Sequence, residues 1–102
     1  MGLCIALQTE SGEQIELVAD EKNLFERLLG SPDANACPML ASIDRYGDTV
    51  FNRLQMDRFL SEWKTLFGKV NTPEEEAFLK AVQNLAEKSR LDVHQYLVFI
   101  GD

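Results

Sequence analysis

The sequence has no long hydrophobic run and little positive charge. Its 102 residues contain ten Lys and Arg against seventeen Asp and Glu, so the formal net charge is −7. Proteins that bind DNA or RNA use basic surfaces to displace counterions from phosphates, and anionic membrane surfaces also attract basic segments. We therefore expect binding to neither nucleic acid nor membrane. A charge of this sign favours a basic protein partner.

The start of the chain lacks the features of a targeting segment. The first nine residues are largely apolar, but they include no basic residue, and Glu10 ends the run. A secretory signal peptide begins with basic residues, and a membrane-spanning helix needs about 20 apolar ones. The two cysteines, Cys4 and Cys37, are too few and too far apart for a disulfide-rich secreted scaffold. The sequence thus predicts a cytoplasmic protein with reduced thiols.

Motifs that carry catalysis or hold a cofactor are also missing. There is no glycine-rich phosphate loop and no Gly-x-Ser-x-Gly, His-Glu-x-x-His or Cys-x-x-Cys motif. His94 is the only histidine, and neither cysteine stands at metal-ligand spacing from it. A cysteine and His94 could still meet in the fold as a nucleophile pair, but Cys4 lies in an apolar stretch typical of inert thiols. We predict no catalytic residue, no metal and no cofactor, which favours a protein that is not an enzyme.

The composition is that of a folded chain. Hydrophobic residues make up 45% and charged residues 26%, which is too apolar for intrinsic disorder. A chain of this length usually forms one domain. We therefore assign residues 1–102 to a single domain.

Strands are predicted at both ends of the chain. Residues 3–9 and 14–19 flank Gly12, which can adopt the positive φ of a tight turn, so they predict a hairpin. In the second of these strands we expect Ile15 and Leu17 to face the core and Glu16 to face solvent. The apolar run 96–100 and the first strand scarcely alternate, which predicts central strands covered on both faces. Helices would supply this cover, or else a second copy of the protein in a homodimer would.

Three helices are predicted between these strands. Asp20 is a candidate N-cap for the first helix, whose apolar face lies within residues 24–29. The second helix carries an apolar stripe over residues 56–67 that includes Trp63, and we expect Glu62 on its solvent face.

Capping boxes mark where the second and third helices begin. Asn52 is followed three residues later by Gln55, and Thr72 is followed by Glu75. Pro73, directly after Thr72, occupies the first helical position, where its missing N–H has no cost.

The segment 39–43 is open to two interpretations. It is a short apolar stretch ahead of a turn-rich region, and residues 49–51 have high β propensity. We favour a second hairpin that turns at Tyr46-Gly47, with a helical turn over residues 38–43 as the alternative. The expected fold class is α+β, a mostly antiparallel sheet of four to five strands packed with three helices. Its elements would follow the order β-β-α-β-β-α-α-β.

The densest group of chemically capable side chains lies between Asp44 and Asn52. Asp44 and Asp48 could share a hard cation or act as an acid–base pair, with Tyr46 and Asn52 as further ligand-binding residues. The competing interpretation is a turn in which both aspartates accept hydrogen bonds from nearby backbone N–H groups.

The function we expect first is that of a non-catalytic, acidic protein-interaction module. It would be an inhibitor or immunity-type protein whose charge attracts a basic partner. Negative charge is concentrated in residues 1–30, where Glu13, Glu16 and Glu21 are the expected contact residues. The alternative is a small ligand- or cation-binding domain that uses the Asp44–Asn52 region.

Overall fold

A four-stranded antiparallel sheet carries helices on one of its faces. The computed structural model describes residues 3–30 and 33–101. In chain order its elements are β1 (Cys4–Thr9), β2 (Gln14–Ala19), α1 (Leu24–Leu29), α2 (Pro38–Ala41), β3 (Asp48–Phe51), α3 (Met56–Lys64), α4 (Pro73–Leu91) and β4 (Gln95–Ile100). Short 3₁₀ turns precede and follow α3, at Arg53–Gln55 and Thr65–Lys69. The predicted α+β class is confirmed.

The strand order in the sheet is β2-β1-β4-β3, and every neighbouring pair is antiparallel. The two strands predicted to be central, β1 and β4, are the central ones, and β2 and β3 form the edges. Alternate residues of each strand point towards the helices. These are the side chains that join the hydrophobic core, with Ile5, Leu7, Leu97, Phe99 and Phe51 among them.

The sequence predicted central strands covered on both faces, by helices or otherwise by a second copy of the protein; the helices of the structure pack on one face only. Among the described residues, the core that unites helices and sheet takes only one set of alternating strand residues. On the opposite face, the edge-strand residues Leu17 and Val50 are 46% and 56% exposed. We call the helix-packed side the inner face and the other side the outer face.

The segment 39–43 does not form a strand, so the favoured hairpin is wrong and the helical alternative is right. Pro38 occupies the first turn of α2, and the buried Leu40 faces the core. The backbone N–H of Leu40 donates to Glu62 Oε1 at 3.0 Å. A side chain of α3 therefore satisfies the N-terminus of α2, which a short helix needs because its first N–H groups have no partner within the helix.

The prediction that Glu62 lies on the solvent face of α3 is also wrong. Glu62 is only 3% exposed. Besides the bond to α2, its Oε2 accepts from Arg58 Nε at 2.7 Å. Burial of a carboxylate is unfavourable unless its oxygens are bonded to donors, and both oxygens of Glu62 have one.

Local capping signals are confirmed. The Asn52 side chain accepts from the backbone N–H of Gln55, and Gln55 Oε1 accepts from that of Asn52. The same reciprocal pair joins Thr72 and Glu75 at the start of α4. Each box satisfies two backbone donors at the start of a helical segment.

Asp20 caps α1 from a distance. Its carboxylate is buried and accepts from the backbone N–H groups of Leu24 at 2.7 Å and Phe25 at 2.8 Å. The residue directly before the helix is Asn23, whose φ of 57° is left-handed. The predicted role of the Asp20 side chain is therefore confirmed, with the helix starting a few residues later than a simple N-cap would place it.

Aromatic side chains form the centre of the core. Trp63 is fully buried, and its ring centroid lies 5.5 Å from that of Phe59 and 6.1 Å from that of Phe25. Its indole Nε1 donates to the backbone carbonyl of Leu79 in α4 at 2.9 Å. Trp63 thus joins α1, α3 and α4 through one side chain.

We expect Trp63→Ala to lower the free energy of unfolding by about 3–5 kcal/mol, because it leaves a large cavity and removes a buried hydrogen bond. Urea denaturation followed by circular dichroism measures this loss. Leu54→Ala is the control, since Leu54 is 79% exposed and its loss should change stability by less than about 0.5 kcal/mol. A Trp63 effect as small as that of the control would contradict the packing described above.

A close backbone contact requires glycine at the end of β4. The N–H of Gly101 donates to the carbonyl of Gly47 at 2.8 Å. A Cβ at position 101 would lie 2.3 Å from that oxygen and 2.4 Å from the Gly47 nitrogen. The contact ties the loop before β3 to the last strand of the sheet.

Gly101→Ala should therefore destabilise the fold by at least about 1–3 kcal/mol, since two backbone segments must move apart. Gly68→Ala is the matched control, because a Cβ there meets nothing within 4 Å. Reduced backbone freedom in the unfolded chain should leave that variant neutral or stabilised by up to about 1 kcal/mol. Thermal melts of the two variants would contradict the contact if both gave the wild-type midpoint.

Candidate interaction surface

The loop before β3 is built as a turn. Asp44 Oδ1 accepts from the backbone N–H of Tyr46 at 2.8 Å, and the N–H of Asp44 donates to Thr49 Oγ1 at 2.9 Å. The other carboxylate oxygen of Asp44 lies over Gly47, where an added Cβ would be 2.9 Å away. The Asp44 side chain is therefore engaged with its own loop.

Asp44 and Tyr46 share the loop, whereas Asp48 and Asn52 lie at opposite ends of β3. The Tyr46 side chain is 86% exposed. Asp48 opens β3, while Asn52 follows the end of that strand and is occupied in the Gln55 capping box. Four residue steps along the strand, about 13 Å, separate Asp48 from Asn52. Within residues 3–30 and 33–101, no three His, Cys, Asp or Glu side chains are placed to hold a metal ion together.

A shallow hollow of about 350 Å³ lies beside this loop, lined by residues that include Leu40, Ile43 and Tyr46. Arg45 also lines it. Its guanidinium pairs with Glu26 Oε1 at 2.8 Å and donates to the carbonyl of Gly30. Asp44 is the other charged residue of the lining. The contacts of Arg45 thus fasten the loop to α1.

The two thiols and the histidine do not form a catalytic pair. Cys4 pairs with Ile100 at one end of the sheet, whereas His94 precedes the opposite end of β4. The length of a six-residue strand, about 20 Å, lies between them. Cys37 precedes α2 and packs against the core on the helical side.

His94 links the start of β4 to the β1–β2 turn. Its Nδ1 is hydrogen-bonded to Glu10 Oε1, and its backbone N–H donates to Asp92 Oδ1 at 2.9 Å. The hydrogen bond and the charge of Glu10 raise the pKa of His94 above its ordinary value of 6.5, and the charge of Asp92 acts in the same direction. The His94 side chain is exposed to solvent.

The three glutamates expected to contact a partner lie along one edge strand but do not cluster. Glu13 precedes β2 and Glu21 follows it, so about 26 Å of chain separates them. Glu16 lies between them, opposite Leu7 on the inner face, and pairs with Lys88 of α4. Glu13 and Glu21 are exposed and, among the described residues, have no cation within ion-pair distance.

The two faces of β2 are the reverse of the prediction. Ile15 and Leu17 are 43% and 46% exposed on the outer face, while Val18 packs against the core. Glu16 shares the inner side with Val18, and the Lys88 ammonium group compensates its charge. A bulge between Leu7 and Gln8 leaves Ile15 without a partner on β1.

The outer face is therefore an apolar surface, which the sequence analysis did not identify. Strand alternation and register assign it twelve residues. They are Cys4, Ala6 and Gln8 of β1, Gln14, Ile15, Leu17 and Ala19 of β2, Asp48 and Val50 of β3, and Tyr96, Val98 and Ile100 of β4. The single charged residue among them, Asp48, stands at a corner.

Carboxylates surround this surface at the ends of the strands. Glu13 and Asp92 lie beside the end formed by the last residue of β1 and the first of β4. Glu21 and Asp48 lie beside the other end, where Cys4 pairs with Ala19 and Ile100. We call these four residues the acidic frame.

No protein-family model, curated protein or solved structure matches this chain. None of the described helices is long and apolar enough to cross a membrane.

The pKa of His94 provides a test of the contact with Glu10. Because the folded pKa is raised, protonated His94 stabilises the fold below pH 6.5, and this contribution disappears as the pH rises through the folded pKa. As the only histidine, His94 can be titrated by NMR without ambiguity. We expect a pKa above 6.5 in the wild type and a lower one in Glu10→Gln. Identical titration curves would show that the two side chains do not interact.

Proposed function

We propose that this chain is a non-catalytic protein-interaction module that binds a basic protein partner. The observation that carries the proposal is the separation of the acidic frame from the cations without an acidic neighbour. Among the described residues, the four carboxylates of the frame have no basic neighbour and lie at the ends of the sheet, whereas those cations lie around α3.

The ion pairs of the described residues support this separation. Most basic side chains are neutralised by nearby acids, and these are Lys22, Arg27, Arg45, Arg58, Lys80, Lys88 and Arg90. Within residues 3–30 and 33–101, Arg53, Lys64 and Lys69 have no such acid, and all three lie in or beside α3. Among the described residues, carboxylates without a basic neighbour lie at the ends of the sheet in the acidic frame, and others, Asp33 and Asp44, lie in the loops on either side of α2.

Such a field acts mainly on how fast a complex forms. Complementary charge steers a partner towards the correct surface and raises the association rate constant, and its effect weakens as salt screens it. A basic partner whose own substrate is an anion would lose access to that substrate while the module covers its cationic surface. This is how an inhibitor or immunity-type protein of this charge would act.

The alternative of a ligand- or cation-binding domain has weaker support. Asp44 is engaged with its own turn, and Asn52 is engaged in a helix cap.

Both cysteines are free, in agreement with the reducing cytoplasm where we expect the module to act.

The test begins with capture from an extract of the organism that encodes the chain, after which the retained protein is identified and purified. We expect a basic protein whose association rate constant, measured by stopped-flow fluorescence of Trp63 or of a dye, falls steeply as NaCl is raised. Glu13→Lys with Glu21→Lys should lower this rate constant by about tenfold at low salt, because two frame charges change sign.

Asp57→Lys with Glu76→Lys is the matched control. It produces the same net charge but places the change on α3 and α4, where both acids are exposed. The proposal fails if the two double variants slow association equally, or if the purified partner binds with no dependence on salt.

A further inference from the structure

We infer that the basic partner docks on the outer face of the sheet. An apolar patch of the partner would cover the side chains of that face, and basic side chains around the patch would meet the acidic frame. This inference rests on the proposed function. The contact surface it assigns is the outer face with the acidic frame, in place of the glutamates along β2 that the sequence predicted.

The centre of the outer face is a continuous apolar row. Register aligns Leu17 with Ala6, Ala6 with Val98, and Val98 with Val50, so one row crosses all four strands. Leu17 and Val50 end the row at the two edges and are about half exposed, whereas Ala6 and Val98 between them are buried. Side chains that stand in register on adjacent strands contact each other, so the row is continuous, and its solvent-exposed area belongs to Leu17 and Val50.

A second row extends the apolar surface towards one end of the strands. Ala19, Cys4 and Ile100 lie side by side, with Asp48 at the β3 edge. Isolated exposed apolar residues are ordinary, and Leu54 on a 3₁₀ turn is one. A contiguous apolar surface rimmed by polar groups is what marks a site of protein contact.

The charges of the acidic frame identify the chemistry of the partner. Glu13 and Asp92 stand at one end of the apolar surface, and Glu21 and Asp48 stand at the other. An interface typically has an apolar centre and a polar rim, and here the rim is of one sign. The matching surface on a partner therefore has an apolar centre with lysine or arginine side chains about it.

A second copy of this chain matches the outer face less well. If two copies of the sheet pack face to face around a two-fold axis, the strand ends of one copy lie against strand ends of the other. Both ends of the strands carry frame residues, so acidic groups meet acidic groups in either orientation. The flat area of the outer face is also small. Four strands spaced by about 4.8 Å and up to six residues long cover about 20 Å by 20 Å, about half of the 800 Å² that each partner gives to a standard interface. A basic partner adds contact over the frame, where a second copy meets like charge.

The experiment measures binding of the purified basic partner to outer-face variants by isothermal titration calorimetry. Leu17→Asp and Val50→Asp each place a charge in the apolar row and should lower the affinity by about tenfold or more. Leu54→Asp is the matched control, with the same charge added at an exposed residue of the 3₁₀ turn that follows β3, outside the four strands, and it should stay within about twofold of the wild type. Thermal melts establish that each variant is folded.

Thiol protection tests the same surface in the unaltered protein. Cys4 lies on the outer face, whereas Cys37 lies against the helical side of the core. Saturation with the partner should slow alkylation of Cys4 by N-ethylmaleimide and leave the rate at Cys37 unchanged. Equal rates at Cys4 with and without partner would overturn the docking surface.

The outcomes separate this inference from the proposed function. If the frame reversals slow association but Leu17→Asp and Val50→Asp bind like the control, the partner is basic and the outer face is not its site. If no basic protein binds, the proposed function falls and the inference falls with it. Sedimentation that shows a dimer of the wild type, dispersed by Leu17→Asp, would assign the outer face to a second copy and overturn the basic partner.

Discussion

Phe99 of β4 contacts four other aromatic rings, and through them the helices are fixed to one face of the sheet. Its ring centroid lies about 6 Å from those of Phe25, Phe51, Phe59 and Trp63, which come from α1, β3 and α3. Once these rings are packed on the inner face, the helices have no further apolar stripe for the other side. The apolar row on the outer face, exposed at Leu17 and Val50, is a consequence of that one-sided core.

Local interactions in this fold could be predicted from the sequence because they depend on residues a few positions apart. The Thr72–Glu75 capping box is an example, since its hydrogen bonds join residues three positions apart. The central position of β1 and β4 was also predictable, because their nearly continuous apolar sequences suit strands flanked on both sides. Ala6 and Val98 are indeed buried in the middle of the sheet.

Features that depend on distant partners could not be predicted in this way. The short helix α2 forms where Glu62, 22 residues further along the chain, accepts a hydrogen bond from Leu40. The orientation of β2 likewise depends on Lys88, since a lysine on α4 allows Glu16 to lie on the inner side of the edge strand. Hydropathy alone assigns Ile15 and Leu17 to the core, because no local pattern shows which strand face the helices will cover. The acidic frame also depends on topology, which brings Glu21 and Asp48 to the same end of the sheet.

Burial and charge have different roles at a surface of this kind. The outer face has apolar area but almost no charge, so it can hold a partner but cannot attract one over a distance. The acidic frame acts over about a Debye length, and its exposed carboxylates add little to the affinity once screened. An apolar row with no frame would bind apolar surfaces with little discrimination, including other copies of itself. With acidic residues at both ends of the strands, binding of a second copy of the chain to this row is disfavoured by repulsion between like charges. Binding of a partner with basic residues around an apolar patch is favoured.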